Sequence, residues 1–255
     1  MRRILATLLL LAALSTRPAE AQTGVGVVLM HGLQGSPSKI IDTVSTALQG
    51  AGYLVETPEM CWSGRRLYDR PFLTCLAEID TAIAGLNARG AGKIVVAGQS
   101  LGGLAAIAYG ARHPNLSGIV AYAPSGAPER INNRPEIAQG VAQARGMLAA
   151  GNGEQAATFP FVNMGQPFMV KTSASIYLTF FDPQGPANML ASLRQLRVPL
   201  LWVAGTSDPG QTNASAEFGQ VPANPLSRFV AVAGGHLETP NAGKSATLDW
   251  LRTLR

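Results

Sequence analysis

Histidine and cysteine are scarce in this sequence, at three and two in 255 residues. Neither type clusters at ligand spacing, so a zinc finger or a histidine-rich metal centre has no candidate residues. No apolar run approaches the ~20 residues that a membrane-spanning helix needs. The longest, residues 4–14, stops well short. Charge is sparse too, at 14% against about 25% in typical soluble domains. The formal net charge is +5, but the basic residues are scattered, and their densest cluster, Arg65 to Arg70, is short. Nucleic-acid binding calls for a patch or stripe, so that class of partner is excluded. No internal repeat or long low-complexity tract suggests a solenoid or a linker.

What is present begins with the N-terminus. Arg2 and Arg3 precede the apolar stretch, and Ala19-Glu20-Ala21 follows it. This is the three-part pattern of a secretory signal over residues 1–21, with cleavage expected after Ala21. Residues 22–255 then form the mature chain, in the periplasm or outside the cell. An oxidising compartment makes Cys61 and Cys75 a plausible disulfide, the alternative being two buried free thiols.

Along the chain, strand-like and helix-like segments alternate. Apolar runs at residues 25–30, 53–56, 94–97, 118–122, 198–204 and 229–232 read as six strands. Residues 36–49, with Ser36 or Ser38 as N-cap, then 71–89, 102–113 and 241–254 read as helices. Strands separated by helices imply right-handed crossovers. The expected fold class is therefore α/β, a mainly parallel six-stranded sheet with helices on both faces. Residues 125–189 break the rhythm. They contain one helix-like run, 135–150, and are too long for an unstructured loop, so they read as an inserted cap.

The chemistry concentrates at "KIVVAGQSLGG", residues 93–103. Gly98-Gln99-Ser100-Leu101-Gly102 fits G-x-S-x-G with a strand before it and a helix after it. In that context the small residues allow a sharp turn that holds a serine hydroxyl outward. A serine nucleophile needs a base. His236 follows the last strand, and strand C-termini of a parallel sheet share one edge. His113 ends the helix after the turn, where an imidazole favours the helix dipole. His31 closes the first strand and reads as a brace for the following loop. Asp208, beyond the strand at 198–204, is the preferred orienting carboxylate. Its rival Asp182 reads as a helix N-cap inside the cap, and Asp42, Asp69, Asp80 and Asp249 fall on helices or their flanks. Backbone N–H groups of Leu101 and of Leu33, with Gln34 in reserve, are the expected donors to an oxyanion.

"HGLQGS", "GQSLGG", "GTSDP" and "GGHLETP", in this order over residues 24–254, resemble the α/β-hydrolase superfamily in a short form lacking its usual first two strands. The resemblance implies a Ser100–His236–Asp208 triad with Leu33 and Leu101 as oxyanion donors. It also implies a small-molecule acyl substrate and hydrolysis of carboxylic esters without metal or organic cofactor. Thioesterase, peptidase, lactonase and acyltransferase activities use the same triad, and a non-catalytic binding protein shares the scaffold. Epoxide and haloalkane hydrolysis are disfavoured, because those relatives place aspartate where Ser100 stands. Substrate-pocket candidates are Gln34, Trp62, Phe161, Met164 and Phe168. With Phe159 and Met169, the aromatic and Met residues could equally form the cap's own small core. Tyr68 and Arg65 lie near Trp62 in sequence and could meet a polar substrate group.

Overall fold

The computed structural model describes residues 24–254, so the signal-sequence reading of residues 1–21 lies outside the described residues. In chain order the elements are β1 (Val25–Met30), α1 (Asp42–Gly50), β2 (Leu54–Glu56), α2 (Phe72–Ala88), β3 (Lys93–Gln99), α3 (Leu101–Arg112) and β4 (Gly118–Tyr122). There follow α4 (Pro128–Ile131), α5 (Pro135–Ala149), β5 (Ala156–Asn163), β6 (Gln166–Ser173), α6 (Ala174–Phe181) and α7 (Met189–Gln195). The chain ends with β7 (Leu200–Gly205), α8 (Ala214–Phe218), β8 (Arg228–Val232), α9 (Thr239–Ala242) and α10 (Lys244–Arg252).

Six strands pair in the order β2-β1-β3-β4-β7-β8, and every neighbouring pair is parallel. Because the central strands are apolar on both faces, successive side chains feed two separate cores. Val28, Val96, Ile119 and Trp202 point to the side of α2, α3 and the segment between β4 and β7. Val27, Val95, Val120 and Val203 point to the side of α1 and α10, where Val44, Leu48, Trp250 and Leu251 meet them.

Two helix boundaries depart from expectation. The first helix starts at Asp42, not at residue 36, and Ile41 stands at its N-cap in place of Ser36 or Ser38. Ile40 takes φ 68°, in a region that helices do not use, and the turn it makes buries Ile41 completely. The last helix is divided at Gly243. A Cβ there would lie 2.7 Å from Val203 Cγ1, so glycine lets this segment close onto the sheet.

The segment between β4 and β7 holds an antiparallel β5–β6 hairpin packed with α5 and α6. Phe159 stacks on Tyr177 at 4.5 Å between ring centroids, and Tyr177 on Phe181 at 4.4 Å. Gly140 on α5 permits this packing, since a Cβ would meet the Tyr177 hydroxyl at 2.6 Å. Asp182 lies at the C-cap of α6 rather than at a helix N-terminus, where it accepts a forked pair of hydrogen bonds from Arg145 at 2.7 and 2.8 Å. That guanidinium holds the Asp182 carboxyl below its ordinary range.

Cys61 and Cys75 are joined in a disulfide, with Cα atoms 5.8 Å apart. The bond fastens the loop after β2 to α2. No helix among the described residues is long and apolar enough to cross a membrane.

Candidate active site

Ser100 sits between β3 and α3 with φ 56° and ψ −119°, a conformation that costs a non-glycine residue energy. The glycines around it make the turn possible. A Cβ on Gly98 would lie 2.3 Å from the Gly102 carbonyl carbon, and one on Gly102 would lie 2.7 Å from the carbonyl oxygens of Met30 and His31. The strained backbone is held by neighbours. Ser100 N–H donates to Tyr122 O at 2.9 Å, and Ser100 O accepts from Leu104 N at 3.1 Å and from Ser125 N at 3.2 Å. The Ser100 hydroxyl lies 3.0 Å from that of Ser125.

Asp208 and His236 come to the same edge from the loops after β7 and β8. Asp208 accepts the Gly210 N–H on Oδ1 at 2.8 Å, and its Oδ2 lies 2.7 Å from His236 Nδ1. With both carboxylate oxygens accepting, Nδ1–H is the donor, and in the neutral ring that leaves the lone pair on Nε2. Both side chains are nearly enclosed, with 4% and 11% exposure. The loop carrying His236 turns at Gly234, where φ is 120°. His236 O also accepts from Gln99 Nε2 at 3.5 Å, which ties the loop to the residue preceding Ser100. Among the described residues no hydrogen bond joins Ser100 Oγ to the His236 ring, Ser125 being the hydroxyl's partner.

The loop after β1 reaches Ser100 through Gly32. A Cβ on Gly32 would lie 2.3 Å from Gln99 Oε1 and 3.0 Å from Ser100 Cβ. His31 braces this loop from below: its Nδ1–H donates to Gly32 O at 2.8 Å, and its Nε2 accepts from Met60 N at 3.1 Å. Desolvation pushes the His31 imidazole below its ordinary value, which matches the neutral tautomer those two bonds require. Trp62 Nε1–H donates to His31 O at 2.9 Å. The Gln34 N–H is engaged with Trp62 O at 2.9 Å, so the reserve oxyanion donor is already spent. Among the described residues the Leu33 and Leu101 N–H groups have no hydrogen-bond acceptor.

The remaining candidates fall elsewhere. His113 donates Nδ1–H to Tyr109 O at 2.8 Å and stacks on that ring, at the far end of α3. Asp69 pairs with Arg66, and Asp249 with Arg252. Asp80 accepts the Tyr109 hydroxyl. Trp62 and Phe161, read from sequence as pocket residues, are 0% and 1% exposed. Trp62 is committed to His31, and Phe161 packs against Tyr68 and Phe168. Phe159 is likewise fully buried, whereas Met164, Phe168 and Met169 are exposed on the hairpin. Arg65 pairs with Glu59, and Tyr68 is buried among Phe161, Phe180 and Phe181. Gln34 Oε1 accepts from Asn163 Nδ2 at 2.7 Å, joining the hairpin turn to the loop after β1. Two cavities, of about 550 and 360 Å³, border Pro114 beyond the C-terminal end of α3, a helix length from Ser100.

Three neighbours of the site were not read from sequence: Ser125, Arg130 and Gln211. Gln211 Nε2 donates to Pro124 O at 3.0 Å, while its Oε1 accepts from Trp202 Nε1 at 3.0 Å. Arg130 donates to Pro124 O at 3.5 Å and to Gly210 O, and its Nε lies 3.4 Å from Glu217. Together they lace the Asp208 loop to the turn that carries Ser125. The available signal was position, since this turn leaves β4 at the same sheet edge.

The fold and the serine at its elbow define an α/β hydrolase. The chain matches the Alpha/beta hydrolase family over residues 27–244 and belongs to that family. Among solved structures it is similar to a monoacylglycerol lipase from Paleococcus ferrophilus, with 20% identity, TM-score 0.67, and 90% of this chain and 95% of that chain covered. It is also similar to a metagenome-derived lipolytic enzyme of the LipS and LipT pair, with 18% identity, TM-score 0.66, and coverage of 91% and 95%. A third is Est1E from Butyrivibrio proteoclasticus, seen with ferulic acid bound, with 18% identity, TM-score 0.63 and 89% of each chain covered. No curated protein matches the sequence.

Proposed function

We propose that this chain is an exported serine hydrolase that cleaves carboxylic esters of small-molecule acyl substrates. Ser100 is the nucleophile, His236 the general base and acid, and Asp208 the carboxylate that fixes the imidazole. The reading rests above all on the Asp208–His236 pair, 2.7 Å apart, at the sheet edge where Ser100 occupies its strained elbow.

His236 Nε2, with its lone pair free, takes the Ser100 proton as Oγ attacks the ester carbon, then returns it to the leaving alcohol. In the unliganded protein such a serine–histidine bond is commonly long, and it shortens when substrate binds. Asp208 supports the positive charge that the ring acquires in that step. The Leu33 and Leu101 N–H groups, both without a partner among the described residues, are the donors for the oxyanion. Water activated by the same imidazole then releases the acyl group from Ser100. Export is supported by the Cys61–Cys75 disulfide, a bond that oxidising compartments maintain.

Hydrolysis of p-nitrophenyl esters of graded acyl length by the mature protein tests this reading. Replacing Ser100 by Ala is expected to lower turnover by a factor on the order of 10⁶, as loss of a triad nucleophile does elsewhere. A loss smaller than about tenfold contradicts it, because background catalysis without the nucleophile is far weaker than that. Oxygen esters and matched thioesters compared on the same acyl group decide which leaving group the site prefers.

A further inference from the structure

We propose that Ser125 is a further catalytic residue, whose hydroxyl donates a hydrogen bond to Ser100 Oγ as that oxygen leaves the acyl group in the second half-reaction. This rests on the reading of Ser100 as the acyl-carrying nucleophile. The two hydroxyl oxygens are 3.0 Å apart, and the Ser125 N–H donates to the Ser100 carbonyl at 3.2 Å, so the two residues are fastened at backbone and side chain alike.

The turn that presents Ser125 is built rigidly. Ala123, fully buried, takes φ 43°, which is costly for a residue with a Cβ. Its N–H is anchored to Val203 O at 2.8 Å. Pro124 O accepts from Gln211 and Arg130, and Gly126 leaves the turn with φ 86°. A connection that only changed direction needs neither a strained alanine nor two side-chain clamps on one carbonyl.

The hydrogen count assigns the donor. Ser100 has one hydroxyl hydrogen, and attack sends it to His236 Nε2. From that point the only hydrogen left on the contact between the two oxygens is that of Ser125. In the acyl-enzyme, Ser100 Oγ is an ester oxygen and a poor acceptor. Deacylation then forms a bond from the water oxygen to the acyl carbon, and the water proton passes to His236 Nε2. The bond from that carbon to Oγ breaks, its electron pair stays on Oγ, and His236 returns the proton there. The Ser125 hydrogen bond is therefore stronger in this transition state than in the acyl-enzyme, and only such a difference speeds a step. In the first half-reaction the contact already exists in the free enzyme, so no comparable gain arises.

Two rates on Ser125→Ala test the proposal: p-nitrophenolate release from an ester, and labelling of Ser100 by a fluorophosphonate, which reports the first half-reaction alone. Steady-state turnover is expected to fall about tenfold, the scale of one hydrogen bond, after a burst of p-nitrophenolate, while labelling stays within about twofold of wild type. Ser125→Thr keeps the hydroxyl and is expected to restore turnover. Equal losses in both rates, or no loss in either, overturn the proposal. Should the alanine variant not fold, Ser125→Cys is expected to slow the same step by less, and an unchanged deacylation rate there overturns it. Wild-type protein that is never labelled at Ser100 removes the underlying reading instead, which separates the two failures.

Discussion

Asn163 Nδ2 donates to Gln34 Oε1 at 2.7 Å, so the turn of the β5–β6 hairpin holds the residue next to the Leu33 amide. Gln34 itself takes φ 56°, and its backbone N–H is spent on Trp62 O. The side-chain bond therefore steadies a strained link of the loop after β1. Asn163→Ala and Gln34→Ala are each expected to lower kcat/KM by about three- to tenfold, on the scale of one hydrogen bond. The double variant is expected to be no worse than the worse single one, because both remove the same contact. A double-mutant cycle on ester hydrolysis checks this, and full additivity contradicts the coupling.

His31 governs how the same loop responds to acid. Its folded-state pKa lies below the ordinary 6.5, mainly because the ring is desolvated. The unfolded chain therefore binds more protons through that window, and stability is present above pH 6.5 and declines as pH falls toward the lowered folded value. His31→Asn keeps a donor near Gly32 O and removes the acceptor for Met60 N–H. It is expected to cost about 1–3 kcal/mol at pH 7.5, as a buried unsatisfied donor does, and to flatten the decline of Tm between pH 6.5 and 5. A variant with the wild-type slope contradicts this assignment.

The disulfide closes a short loop, with 14 positions separating Cys61 from Cys75. In the chain-entropy treatment it contributes about 3 kcal/mol. Reduction is therefore expected to lower Tm by about 6–12 °C for a chain of this size. Calorimetry of the wild type with and without reductant, and of Cys61→Ser/Cys75→Ser, measures it. Unchanged Tm values place the bond outside the stabilising framework.

Glycines of similar appearance in the sequence are expected to behave oppositely. Gly102→Ala drives a Cβ to within 2.7 Å of two backbone carbonyl oxygens, neither of which can swing away as a side chain would. The cost is expected to reach about 3 kcal/mol or more, the upper end for overpacking. Gly146, inside α5, has nothing within 4 Å of an added Cβ. There Ala is expected to add about 0.5–1 kcal/mol through helix propensity. Chemical denaturation of the two variants gives both signs.

That contrast marks what the residues disclose on their own. The sheet was legible because β1, β3, β4 and β7 are apolar on both faces, a pattern that buried parallel strands share with little else. Asp208 and His236 stand out in the sequence because parallel strands deliver their following loops to one edge; in the structure the two side chains lie 2.7 Å apart. The start of α1 is hard to place from sequence because Ile40 and Ile41 continue the helical spacing, while the chain spends Ile40 on a left-handed turn and begins the helix only after Ile41. The aromatics of the β5–β6 hairpin are ambiguous in sequence for a physical reason. Phe159, Phe161 and Phe168 share one face of the hairpin, and only the packing of Tyr68 and Tyr177 decides which of them is covered. Ser125 was hidden in an ordinary-looking Pro-Ser-Gly turn, whose strain lies one residue earlier than the proline, at Ala123.

Mass spectrometry of the protein after exposure to a fluorophosphonate probe shows whether Ser100 is the nucleophile. A single adduct is expected on Ser100, within the peptide that spans residues 94–112, and none in Ser100→Ala. An adduct on a different residue, or ester turnover by a protein that never labels at Ser100, contradicts that role.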